Sequence, residues 1–243
     1  MRAPVSGRVT GTNQDAARVR EMFGRVAPRY DLLNHLLSLN IDKAWRNTVV
    51  REFREVLGRP DARVLDLCCG TGDLTLALHQ GARAKVVGAD FCHPMLVRAV
   101  GKFAVRPDPP SALEADALLL PFPDASFDLV TAAFGFRNLA DYDGGLREML
   151  RVLRPGGRLG ILEFSEVVGP LGPLFRFYFA HILPGLGGAI SGDSAAYNYL
   201  PASVARFPSP EELALRMRDA GFAEARFLRL TLGIACLHTA WRA

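Results

Sequence analysis

Hydrophobic positions change their period once along the chain, near residue 60. Before that point they repeat at helical spacing. Val19, Met22, Phe23 and Val26 form one group, and Leu32, Leu33, Leu36 and Leu37 form a second, with Pro28 between them. Asp42 is placed to cap a further helix whose buried stripe is Trp45, Val49, Phe53 and Val56. Beyond residue 60 short β-rich runs take over, at 63–67, 85–89, 112–115, 127–133 and 158–164. Helical stretches separate most of them. Leu146, Met149, Leu150 and Leu153 make one amphipathic stripe, stopped by Pro155-Gly156-Gly157. Ser209-Pro210-Glu211-Glu212 is a capping box with proline at the first helical position, and that helix runs to Gly221. Two last runs, 222–230 and 233–241, flank Gly233 and read as an antiparallel hairpin. Strands alternating with helices predict a parallel sheet covered on both faces. Five crossover strands and the hairpin give seven.

This pattern divides the chain into a loose N-terminus (1–13), a helical extension or lid (14–60) and an α/β domain (61–243) with an insertion at about 166–207. Hydrophobic residues are 49% and charged residues 22%, which excludes a disordered tail, a collagen-like chain and a coiled coil. The net charge of +4 is mild and comes without a dense Lys/Arg block, so it permits an anionic surface but requires no nucleic acid. The first twenty residues lack an apolar h-region and no run approaches a membrane span, so a cytoplasmic protein is expected, peripheral to a membrane at most. Four cysteines form no metal-ligand spacing and no disulfide framework; no metal is expected. Cys68 and Cys69 are read as small apolar residues and His238 as a packed one.

The sharpest motif is Val64-Leu65-Asp66-Leu67-Cys68-Cys69-Gly70-Thr71-Gly72, a buried strand running into a glycine turn that opens a helix. Glycine lets backbone approach a ligand where a Cβ would clash. A dinucleotide fingerprint would need glycine at 75, where Thr75 stands. The acid before the turn repels a pyrophosphate but suits an ammonium and a sulfonium. Asp90 ends the second strand and can accept two ribose hydroxyls; Asp116 ends the third and can accept from an adenine amino group, with the Ala117 backbone beside it. Three acids at successive strand ends point to an adenosyl cofactor carrying a methionine, S-adenosyl-L-methionine. Asp66, Gly70, Thr71, Gly72, Asp90, Asp116 and Ala117 are its candidate contacts. With seven strands, the fold class is the class I S-adenosylmethionine methyltransferase: a mostly parallel sheet, a C-terminal antiparallel hairpin and a helical N-terminal extension.

Further blocks are more specific. Tyr30-Asp31-Leu32-Leu33-Asn34-His35-Leu36-Leu37-Ser38 with Asp42 and Trp45-Arg46, the Phe134-Gly135-Phe136-Arg137-Asn138-Leu139 block, Arg151 to Gly157 through Leu162-Glu163-Phe164-Ser165, Ile190 to Asp193 and Tyr197 to Val204 together resemble the menaquinone and ubiquinone biosynthesis C-methyltransferases over roughly residues 19–240. The resemblance implies S-adenosylmethionine, a polyprenylated quinol substrate and methylation at ring carbon. It implies cofactor positions at Thr71, Asp90, Asp116 and Ala117. Many members carry serine where this chain has Ala133, so a hydroxyl contact is absent there. Asp42, where ubiquinone-pathway members often have histidine, leans toward the menaquinone branch, with demethylmenaquinol as acceptor.

A methyl sulfonium is already electrophilic, so the protein must mainly place a ring carbon in line with it. The ring carbon becomes nucleophilic as a neighbouring phenol loses its proton. Arg137 is the candidate stabiliser of that oxyanion, Asn138 the candidate for orienting the hydroxyl or a water, and Tyr30 a relay or a ring holder. Arg137 is otherwise a salt-bridged capping residue and Tyr30 a packed aromatic in a lid. His35 and His181 are further candidate bases. The aromatic stretch 171–190 reads as a lining for the isoprenoid tail or as a core helix. Transient contact with a membrane surface and a homodimer are compatible with this reading. Two other readings stay open: a methyltransferase with a benzoquinol or other acceptor, and a non-catalytic protein that binds cofactor or quinone without turnover.

Overall fold

The computed structural model describes residues 13–31, 38, 40–165, 167, 172 and 194–243. The leucine group 32–37, His35, Ile190 to Asp193 and nearly all of the aromatic stretch lie outside the described residues.

Helix α1 (Asn13–Val26) is followed by a 3-10 turn at Ala27–Arg29, then by α2 (Ile41–Glu52) and a short α3 (Arg54–Leu57). The domain then alternates: β1 (Arg63–Leu67), α4 (Asp73–Gln80), β2 (Lys85–Asp90), α5 (His93–Phe103), β3 (Ser111–Glu114), β4 (Phe127–Ala133), α6 (Tyr142–Val152) and β5 (Leu153–Phe164). Helices α7 (Ser194–Arg206) and α8 (Pro210–Asp219) precede the hairpin β6 (Glu224–Leu230) and β7 (Ala235–Trp241). The seven strands lie in the order β3-β2-β1-β4-β5-β7-β6. Strands β1 to β5 pair in parallel, and β7 runs antiparallel between β5 and β6.

Alternation sets the two faces. Leu65 and Leu67 of β1 and Val130 of β4 join one core, with Leu146, Met149 and Met217. Val64 and Leu129 face the other, with Trp45, Val49, Phe53 and Leu78. The helical segment before β1 is therefore part of a core. Phe53 seats on β5 at Gly160, where an added Cβ would fall 2.4 Å from its ring.

Several expected boundaries move. β5 begins at Leu153, because Phe127 pairs with Leu153 before the ladder resumes at Leu129–Arg158 across an irregularity that carries Pro155-Gly156-Gly157. β3 starts one residue earlier than its apolar run, set by pairing of Ser111 with Val87. The first hairpin strand begins at 224, where Glu224 pairs with Trp241, and the second begins at 235, because Thr231–Gly233 forms a 3-10 turn. Asp42 does not cap α2: Asn40 occupies that place at φ +61°, and Asp42 sits in the first turn, where it pairs with Arg46. The Ser209–Glu212 capping box forms as expected.

Candidate active site

The parallel register brings the C-terminal ends of β1, β2 and β4 to one edge of the sheet. A cleft open to solvent lies there. Its walls include Asp66, Cys69, Gly70, Thr71, Asp90, Asp116, Ala117 and Asn138, and Tyr30 and Arg46 from the segment before β1. Strand ends at a switch in strand order are where open α/β sheets bind ligands, and the order reverses between β1 and β4.

The turn after β1 is built by backbone torsion. Cys68, Gly70 and Gly72 all have positive φ. Gly70 faces open space, with nothing within 4 Å of an added Cβ, so its backbone can meet a ligand directly. Gly72 acts differently from expectation. It is absent from the cleft walls, and a Cβ there would lie 2.5 Å from the Phe103 ring, so it lets α5 approach the turn.

Asp66 is fully buried at the floor. Its two oxygens accept the hydroxyls of Thr75 (2.6 Å) and Thr131 (3.0 Å). Burial pushes its carboxyl up to about 7 against the pull of those hydroxyls. Asp90 accepts the backbone N–H of Gly70 and of Cys92, each at 2.8 Å, and so ties the glycine turn to the start of α5. Burial raises its pKa as well. Asp116 lies two residues past the end of β3 and accepts the Leu118 N–H at 2.9 Å, which leaves its carboxylate exposed beside Ala117. Burial pushes the thiols of Cys68 and Cys69 well up, which keeps them unreactive.

Arg137 takes the salt-bridged alternative. It is 7% exposed and is absent from the cleft walls. Its guanidinium donates to Glu163 at 2.7 Å, to Ser203 at 3.3 Å and to the Phe134 carbonyl. Phe134 has φ +57°, a strained conformation for a bulky residue, and Arg137 holds its carbonyl. The Phe134 ring thereby packs between Trp45 and Phe164 and lines the cleft. Gly135 completes the turn, since a Cβ there would fall 2.3 Å from that of Cys68. Asn138 does reach the cleft, and its Oδ1 accepts the Tyr199 hydroxyl at 3.0 Å. Tyr30 lines the cleft with its ring edge-to-face on Phe23.

Sequence reasoning missed a charged cluster beside the turn. Lys102 donates to Asp31 (2.9 Å), Asp73 (2.6 Å) and Thr71 (3.2 Å), and Thr71 donates to Asp31. Arg46 lies 3.2 Å from Asp73 and donates to Asp42 at 2.6 Å. These residues come from the segment before β1, from α4 and from α5. Only the chain order of Asp31 and Arg46 within a known signature hinted at them. Among the described residues no group of three or more His, Cys, Asp or Glu could hold a metal.

An open glycine face, acids at successive strand ends and an exposed carboxylate beside a buried alanine fit an adenosyl cofactor with a methionine half. Fold and cleft together define a class I S-adenosylmethionine-dependent methyltransferase. The sequence model of the ubiE/COQ5 methyltransferase family matches residues 11–242. The chain is 50% identical to the demethylmenaquinone methyltransferase of Deinococcus radiodurans, covering 93% of each chain. It is 52% identical to that of Thermus thermophilus, covering 89% of this chain and 98% of that one. A SAM-dependent methyltransferase structure from Aquifex aeolicus shares the fold at a TM-score of 0.58 and 22% identity, covering 82% and 89% of the two chains. The chain belongs to the ubiE/COQ5 methyltransferase family.

Proposed function

We propose that this enzyme methylates a ring carbon of a polyprenylated quinol, with demethylmenaquinol as its acceptor in menaquinone synthesis. The observation that carries the reading is identity of half the residues, over nearly the full length, to enzymes named demethylmenaquinone methyltransferase. Relatives at 44% identity are named for both ubiquinone and menaquinone biosynthesis, which makes the benzoquinol the second acceptor to test.

S-adenosylmethionine supplies an electrophilic methyl group when bound. The chain's own work is to hold, orient and dehydrate. Gly70, Thr71 and Asp90 would hold the sugar and methionine half, and Asp116 and Ala117 the adenine. Asn138, held by Tyr199, would orient a ring hydroxyl. Tyr30 would close the ring's edge from the segment before β1. Arg137 acts through the turn it holds: it is a positioning residue that aims Phe134 and Asn138, not a group on the oxyanion. The described residues 13–31 would serve as a lid over the cofactor, while α2 and α3 belong to the core. The isoprenoid tail brings the protein into transient contact with a membrane surface; among the described residues, no helix is long and apolar enough to cross one.

The test is incubation with labelled S-adenosylmethionine and two reduced short-chain acceptors, demethylmenaquinol and the 6-methoxy benzoquinol. Label in the naphthoquinol alone is expected. Label in both would mean an enzyme shared by two pathways. Label in neither, with tight cofactor binding, would overturn the reading.

A further inference from the structure

The described walls of the cleft carry four carboxylates, Asp66, Asp73, Asp90 and Asp116, and a single cation, Arg46. The methionine half of the cofactor bears an ammonium, a sulfonium and a carboxylate. Acids serve the first two groups and repel the third. We propose that Arg46 receives the cofactor's carboxylate, and that it makes the protein select a ligand with an intact amino acid. The inference rests on the assignment of this cleft to S-adenosylmethionine.

Arg46 lies beside Asp73, at the start of the helix that follows β1, whereas the Ala115 to Leu118 wall expected to take adenine follows β3, on the far side of β2 in the sheet. Its charge reaches Asp66, whose ionised form it favours. The side chain is 10% exposed and held from two sides. One terminal nitrogen donates to Asp42 at 2.6 Å, and the other lies 3.2 Å from Asp73. Asp42 itself accepts the Ser38 hydroxyl at 2.6 Å. A guanidinium has five N–H donors, so these two contacts leave others to meet a carboxylate. The helix is fixed one residue earlier, where Trp45 donates its indole N–H to Thr231 at 2.8 Å and packs on Phe134 and Phe164. The fork is thus set in place before ligand arrives, which lowers the ordering cost of binding.

The test is calorimetric binding of S-adenosylmethionine and of decarboxylated S-adenosylmethionine, which keeps the ammonium and the sulfonium. Wild type is expected to bind the intact compound about 10- to 100-fold more tightly, the range for one charge-assisted hydrogen-bond pair. Arg46→Ala should bring that ratio close to one by weakening the intact compound alone. Because Arg46→Ala takes one partner from each of Asp42 and Asp73, Arg46→Lys is made alongside and should give an intermediate ratio; the wild-type ratio needs no variant. Equal wild-type affinity for the two compounds would overturn the inference and leave the cofactor site standing. So would a variant that weakens both compounds equally, the mark of a purely structural arginine. Wild type that binds neither would overturn the cofactor assignment and this inference with it.

Discussion

Burial moves two side chains in ways that oppose each other in pH. The Asp66 carboxyl rises to about 7, so the folded state keeps a proton that the unfolded chain releases near pH 4. Its contribution to stability therefore falls as pH rises from about 4 to 7. Asp90 is raised too and acts in the same sense. Burial lowers the His238 imidazole to about 4, so the unfolded chain takes up a proton below about 6.5 that the folded chain refuses. Its contribution is lost as pH falls from 6.5 to 4. In wild type the slopes of Asp66 and Asp90 oppose that of His238. Relative to wild type, Asp66→Asn should tilt stability toward rising with pH across that window, and His238→Asn should tilt it toward falling, read as urea midpoints at pH 4.5 and 6.5. Arg137 gives a second test at this scale. Its removal leaves Glu163, which is fully buried, with backbone N–H donors but without its cation, and should cost about 3–5 kcal/mol. Glu163→Gln in the same background should return part of it. An Arg137→Ala protein that unfolds at the wild-type urea concentration would refute the positioning role.

At the scale of elements, three polar contacts of different worth are among those that tie the described part of the segment before β1 to β3 and α5. Arg20 pairs with Glu114, but both are well exposed, and such a pair contributes about 0–1 kcal/mol. Arg98 donates to the Pro28 carbonyl at 2.7 Å. Lys102 is less exposed and bridges Asp31 to Asp73, and so joins the segment to α4 and the glycine turn. Lys102→Met should speed amide exchange across residues 13–31 and weaken cofactor binding about tenfold, whereas Arg20→Ala should change neither by more than about twofold. Comparable effects of the two substitutions would mean that the segment is not latched at Lys102. Added S-adenosylhomocysteine should slow exchange in the same segment.

For the whole molecule, cofactor binding and folding are linked because the cleft is assembled from β1, β2, β4 and the helices before β1, and none of these alone presents it. A ligand that binds only the folded chain stabilises it by about 2.7 kcal/mol at a hundred times its Kd. For a chain of this length that is a rise in Tm of roughly 5–10 °C. Scanning calorimetry with S-adenosylhomocysteine at that excess should show it in a single transition. A shift confined to part of the transition would mean that the N-terminal helices melt apart from the sheet.

Local pattern alone determined a great deal. The strand at 63–67, the glycine turn with its acids, the capped helix at 210 and the seven-strand layout were legible because period, turn chemistry and capping act within a few residues of sequence. The acids Asp90 and Asp116 were legible because strand ends in a parallel sheet share one edge. Side-chain partners across the fold were not. Nothing in the block at 134–139 shows that Arg137 turns inward to Glu163 and holds a strained Phe134, since those contacts join strands distant in the chain. Gly72 was readable as a turn residue but not as the seat of Phe103. Lys102 carried no signal in the sequence, and Arg46 only its place in the signature block. Only tertiary packing, which carries α2 and α5 to the end of β1, placed both beside the glycine turn and put one of them in the cleft wall.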